Sequence, residues 1–267
     1  MRAGALSLAA GQYLPGTSPV HARDARFKLL ACLAFLVVVF AVRRWEGLAL
    51  LGAGLLAALL LLRAPVGYLW RGLRPLIALL FLTFVLQLFG YPGTPLFGVG
   101  PFAVTREGLA AGAFFTSRLV LLLVAGLLLT LSTPPVALTD SIEWLIGPLR
   151  RLRVPTAEIA LMMSIALRFV PTLLRELDGL LMAQRARGAD LTVRDPRRMA
   201  QALLPVAVPL FVSSFRHADD LAQAMTSRCY RGGIGRTRYR ELHFGAGDLF
   251  GALVVVAWLG AAVAVGR

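Results

Sequence analysis

The chain has 267 residues, 58% of them hydrophobic, and a net charge of +14, with a mean hydropathy of +0.73; this balance excludes an ordinary soluble domain and points to an integral membrane protein. The basic charge is almost wholly arginine, and the single lysine, Lys28, sits in RFKLL away from any glycine loop, so ATP binding through a P-loop is excluded. The apolar runs make a cytoplasmic membrane face a better account of the charge than nucleic acid, and Cys32 and Cys229 lack the spacing of a disulfide or metal site.

Residues 1–26 contain Gly11, Pro15, Gly16 and Pro19 and read as an extended or partly ordered cytoplasmic tail. ALSLAA near the start is too short for a signal-peptide core. Arg23, Arg26 and Lys28 then stand directly before the first apolar run. Five runs, at roughly 28–42, 47–63, 73–90, 108–131 and 248–265, are long enough, or nearly so, to span about 30 Å of hydrocarbon. Four of them fill 27–132 and the fifth fills 248–267. Arg118, in the fourth run, is the one charge well inside a span, a position that is functional by default unless the side chain faces a neighbouring helix or snorkels.

The remaining segment, 133–247, holds sixteen arginines. With the N-terminus inside, this segment and Arg63, Arg71 and Arg74 fall inside, and the loop YPGTPLFGVGPFAVTREG falls outside with only Arg106. That is the expected positive-inside bias. The short turn at Arg43-Arg44 is its one exception, and an odd number of spans puts the C-terminus outside.

Within 133–247, the stretch 168–190 is amphipathic at about 100° per residue. Phe169, Val170, Leu173, Leu174, Leu177, Leu180 and Leu181 share one face; Arg168, Thr172, Arg175, Glu176, Asp178 and Arg185 share the other. The helix ends in Ala186-Arg187-Gly188, with glycine where a helix C-terminus favours a left-handed residue. A second helix repeats the plan. Phe211, Phe215, Ala218, Ala222 and Met225 recur at spacings of three and four, and the run ends in Ser227-Arg228-Cys229. Two apolar stretches here, Leu161–Leu174 and Ala202–Phe215, carry Pro171, Pro205 and Pro209 and read as interfacial or protein-buried rather than spanning. The expected fold is an all-α integral membrane protein of about five transmembrane helices with a cytoplasmic module, 133–247, of long amphipathic coupling helices.

A lone arginine near a helix C-terminus needs no function, because it complements the helix dipole. Two of them, each closing an amphipathic helix in one segment, shift the reading toward function. The rival chemistry is Asp219-Asp220 as a metal-binding motif of a membrane-embedded isoprenoid or lipid transferase. That chemistry wants a second acidic cluster, and the sequence offers none of comparable spacing. His21, His217 and His243 are scattered and carry no ligand spacing, so no metal and no cofactor is expected.

RFVPTLL at 168–174 followed by AQRARGAD at 183–190 resembles the first Ala-Arg-Gly box of the transmembrane T component of energy-coupling factor transporters. FVSSFRHADDLAQAMTSRCYRGG at 211–233 is similar to the region of that family's second box, and GQYLPGTSPVHARDARFKLL at 11–30 resembles its N-terminal lead-in. The second box departs as Ser227-Arg228-Cys229, and the lead-in has Ala25 where proline is common; arginine is kept in both boxes. The resemblance implies a non-catalytic subunit of an ABC-type importer of vitamins or other micronutrients in a prokaryotic cell membrane. Its implied partners are two ATPase subunits, a substrate-binding membrane S component and the lipid bilayer. Ala186, Arg187, Gly188, Ser227, Arg228 and Cys229 would dock the ATPases. Phe169, Leu173, Leu177, Phe211, Phe215 and Met225 would form the faces that carry motion to the S component.

Overall fold

The computed structural model describes residues 16, 18–63, 65–90, 94–97, 104–152, 154–189, 195–232 and 245–267. They divide into two compact units, one holding 16–141 and 245–267, the other 142–232.

The first unit is a helix bundle: α1 (Ala25–Ala41), α2 (Trp45–Leu62), α3 (Val66–Leu73), α4 (Ile77–Gly90), α5 (Arg106–Ser132), most of α6 (Pro135–Ile146) and α9 (Ala246–Gly266). A single 3-10 turn, Arg74–Leu76, joins α3 to α4, so the expected span at 73–90 is the second part of one longer apolar helix, Gly67–Gly90. Before α5, β1 (Pro95–Phe97) pairs antiparallel with β2 (Val104–Thr105) in a small two-stranded ribbon. The fold is otherwise all-α, as expected.

Side-chain caps fix where these helices begin. The Asp24 carboxylate accepts from the Arg26 amide at 2.8 Å, and Thr105 Oγ1 accepts from the Gly108 amide at 3.0 Å. Asp248 has two tasks. Its Oδ2 accepts from the Gly245 amide at 3.1 Å, and its Oδ1 accepts from the Asp24 amide at 3.2 Å with Arg23 3.9 Å away. One carboxylate thus ties the start of α1 to the start of α9. Lys28, the only lysine, is buried and donates to the carbonyls of Ser132 at 3.0 Å and His21 at 3.3 Å, so it caps the C-terminal end of α5.

Burial is inverted relative to a soluble domain. Val37, Phe40, Leu60, Phe81, Leu86, Phe250 and Val256 are all more than three-fifths exposed, which is tolerable only against lipid. The core is narrow: Phe35, Val39, Val42, Leu48, Leu51, Leu55, Ala125, Leu259 and Ala262. Outside that core, helices also meet by close backbone approach, as expected where lipid removes the hydrophobic drive between helices. A Cβ on Gly108 would stand 2.6 Å from the Leu88 carbonyl oxygen, and one on Gly112 would stand 3.2 Å from that of Phe84. Gly108 and Gly112 therefore form a G-x-x-x-G face along which α5 meets α4. Trp258 on α9 stacks on Phe35 at 5.7 Å and donates its indole N–H to the Leu50 carbonyl at 3.0 Å.

Among the described residues, six helices are long and apolar enough to cross a membrane, by length and hydropathy alone: Trp45–Leu62, Gly67–Gly90, Arg106–Ser132, Thr156–Ala186, Met199–Ser227 and Gly247–Gly266. α1 is 17 residues long. The chain is a multi-pass helical membrane protein. Two of the six belong to the second unit, where the sequence points to interfacial helices.

Candidate functional site

The second unit is built on two long helices, α7 (Thr156–Ala186, 31 residues) and α8 (Pro196–Ser227, 32 residues), each about 45 Å long at a rise of about 1.5 Å per residue. The stretches that look short in sequence are parts of these continuous helices. Pro171 lies inside α7, and Pro205 and Pro209 lie inside α8.

The two helices form an antiparallel hairpin. Gln184, near the end of α7, donates to the Pro205 carbonyl in the first half of α8 at 3.4 Å. Farther along, the rings of Phe169 and His217 lie 6.0 Å apart. Between the helices runs an apolar groove of about 390 Å³. Phe169, Leu173 and Met162 line it from α7, and Ala218, Ala222 and Met225 from α8. Of the side chains assigned to the coupling faces, Phe169, Leu173 and Met225 meet in this groove. Leu177 is half-buried on α7. Phe211 and Phe215 lie on the same stripe of α8 but stand open, 67% and 69% exposed. The opposite face carries the charge, with Arg168, Arg175, Asp178, Arg216, Asp219 and Asp220 all exposed.

Both helices end in one geometry. After Ala186, the Gly188 amide donates to the Arg185 carbonyl at 3.0 Å and the Ala189 amide to the Gln184 carbonyl at 3.0 Å, with Gly188 at φ +85°. After Ser227, the Cys229 amide donates to the Thr226 carbonyl at 2.9 Å and the Tyr230 amide to the Met225 carbonyl at 3.0 Å, with Cys229 at φ +58°. Each is a Schellman motif, and Arg187 and Arg228 are the cap residues, both exposed. The Ser227 hydroxyl donates back to the Gln223 carbonyl at 2.8 Å. The second box thus keeps the backbone of the first although cysteine replaces glycine at the left-handed position. Because the hairpin is antiparallel, the two arginines stand at its opposite ends. Asp190 and Gly233, which close the two motifs in sequence, lie outside the described residues.

Asp219 and Asp220 are both exposed on α8. Among the described residues no three His, Cys, Asp or Glu side chains gather to hold a metal ion.

A family model described as cobalt transport protein matches residues 16–239, a range that takes in the first unit up to α9 and both arginine-capped ends. Three curated relatives, each named energy-coupling factor transporter transmembrane protein EcfT, align over nearly the full length. That of Thermosediminibacter oceani is 48% identical over 90% of both chains. That of Clostridium kluyveri is 45% identical over 91% of both, and that of Bacillus subtilis 43% over 95% of this chain and 97% of its own. The chain belongs to this family. It is a transmembrane component of an energy-coupling factor transporter, and the lipid-transferase reading of Asp219-Asp220 loses its basis. Sequence reasoning missed the G-x-x-x-G face in this component, although the signal, Gly108-Leu-Ala-Ala-Gly112, was in plain view.

Proposed function

We propose that the hairpin of α7 and α8 is the energy-coupling element of the transporter, with Arg187 and Arg228 each docking one of two ATPase subunits. The observation that carries this is the pair of matching Schellman ends, each with an exposed arginine as cap, at opposite ends of one hairpin. An arginine fork at a helix end is suited to charge-assisted hydrogen bonds in a groove of a partner. Two such ends on one body let two ATPases move it together. The groove of Phe169, Leu173 and Met225 and the open rings of Phe211 and Phe215 then offer the apolar surface that meets the substrate-binding S component. ATP hydrolysis belongs to the partners, and the substrate, a vitamin or another micronutrient, is chosen by the S component.

This reading puts the N-terminus and both arginine ends in the cytoplasm of a prokaryotic cell, with α7 and α8 lying against the membrane. Affinity purification of the full chain from its own membranes tests it. Stoichiometric recovery of two ATPase subunits and a small membrane protein is expected, with ATP turnover only in the complex. Recovery of the chain alone, with metal-dependent turnover of its own, would overturn it.

A further inference from the structure

Arg118, the charge inside α5, reaches the turn between α1 and α2. Its guanidinium donates to the Val42 carbonyl and lies over the rings of Phe114 at 4.9 Å, Phe115 at 5.5 Å and Phe40 at 5.9 Å. The turn is held independently, since the Arg43 and Arg44 amides donate to the Gly266 carbonyl at 2.8 Å and 3.1 Å. The Arg43 side chain itself is exposed. Arg43 and Arg118 line one open pocket of about 450 Å³, with Phe40, Trp45, Phe114 and Phe115 around them and no carboxylate in its lining.

We propose that this pocket binds the phosphate of an acidic phospholipid between the Arg43 and Arg118 guanidinium groups. Two cations line this open pocket without a carboxylate beside them, one of them inside a span, and an anion with several acceptor oxygens would offset the charge of both. Arginine forks suit phosphate oxygens better than point charges do. The surroundings select lipid over a soluble anion. Phe40 is 63% and Trp45 49% exposed beside the pocket, and Val37 one turn earlier is 69% exposed. These form an apolar and aromatic rim of the kind found at the headgroup level of a bilayer, where the acyl chains of a bound lipid would lie. The same site gives a local reason for Arg43 to stand in the one loop that departs from the positive-inside pattern.

The test is native mass spectrometry of the full-length chain in detergent, titrated with phosphatidylglycerol and with phosphatidylcholine. Phosphatidylglycerol is expected to bind at least about tenfold tighter, and Arg43→Gln or Arg118→Gln should each remove roughly that factor, the size of one charge-assisted contact. Arg43→Gln keeps the backbone bonds of the turn, so it remains informative if Arg118→Gln fails to fold. Arg44→Gln, next in the turn but outside the pocket lining, should bind as the unaltered chain does. Equal binding of the two lipids, a preference for phosphatidylglycerol that survives Arg43→Gln, an equal loss in Arg44→Gln, or displacement by millimolar inorganic phosphate would each overturn the proposal.

Discussion

Gln184 on α7 donates to the carbonyl of Pro205 on α8 at 3.4 Å, and that carbonyl lacks a donor within its own helix because the residue four positions on is Pro209. A proline has no N–H to complete the helical ladder. The vacancy left by Pro209 is filled from the neighbouring helix, close to the Arg187 end of the hairpin.

This relationship predicts a coupled pair. Gln184→Ala should destabilise the hairpin by about 0.5–1.5 kcal/mol, the net worth of one hydrogen bond. In a Pro209→Ala background the helix supplies its own donor, and the cost of Gln184→Ala should fall toward zero. A double-mutant cycle on thermal unfolding of the full chain measures this. An equal loss in both backgrounds would show that the contact carries no coupling.

Cys229 holds a left-handed conformation at φ +58° that costs a non-glycine residue about 1 kcal/mol. Cys229→Gly should therefore stabilise the second helix end by roughly that amount, and Cys229→Val should destabilise it by more, because a β-branched residue tolerates the conformation worst. Hydrogen exchange at the Cys229 and Tyr230 amides reads both effects. Faster exchange in the glycine variant would contradict the argument.

The close face between α4 and α5 gives a matched pair of substitutions. A Cβ at Gly108 meets the Leu88 carbonyl at 2.6 Å, whereas one at Gly126, on the same helix, meets nothing within 4 Å. Gly108→Ala should cost about 1–3 kcal/mol through overpacking, and Gly126→Ala should be neutral or mildly stabilising through helix propensity. Unfolding of both variants in detergent decides it; similar stabilities would show that the helices separate without cost.

Much of this arrangement is legible in the sequence because membrane spans and amphipathic stripes are local patterns. The four runs of 27–132 and the last at 248–265 each fall on a helix, and Gly188 marks the end of α7 because only a left-handed residue closes that motif. The continuity of α7 through Pro171 and of α8 through Pro205 and Pro209 was harder to read, since proline argues for interruption until the partner helix that replaces a lost bond is known. The partner of Arg118 was hidden for a related reason. It is a backbone carbonyl, that of Val42, and a carbonyl leaves no mark in a sequence. The left-handed state of Cys229 was equally silent, because residue type argued against it.

The membrane topology separates two accounts of α7 and α8. Both are long and apolar enough to cross, and because they run antiparallel, counting both or neither leaves the termini where they were. It moves the Arg187 end, however, to the other side of the membrane from Arg228. The native Cys229 is exposed, so a membrane-impermeant thiol reagent on intact cells should leave it unlabelled, and should likewise leave Ala186→Cys unlabelled. Thr94→Cys, beside the ribbon, should label from outside. Labelling of Ala186→Cys but not Cys229 would mean that the hairpin spans the bilayer.

The central claim is that Arg187 and Arg228 are the two contacts through which ATP-driven motion enters this subunit. Its most direct measurement is ATPase co-purification with substrate uptake for Arg187→Ala, Arg228→Ala and the double variant, with Arg175→Ala, exposed on the charged face of α7, as control. Each single replacement should weaken docking about tenfold or more, the worth of a charge-assisted hydrogen bond. The double variant should lose both assembly and uptake while the chain still folds in the membrane, and Arg175→Ala should behave as the unaltered protein. Normal assembly and uptake in the double variant would contradict the account.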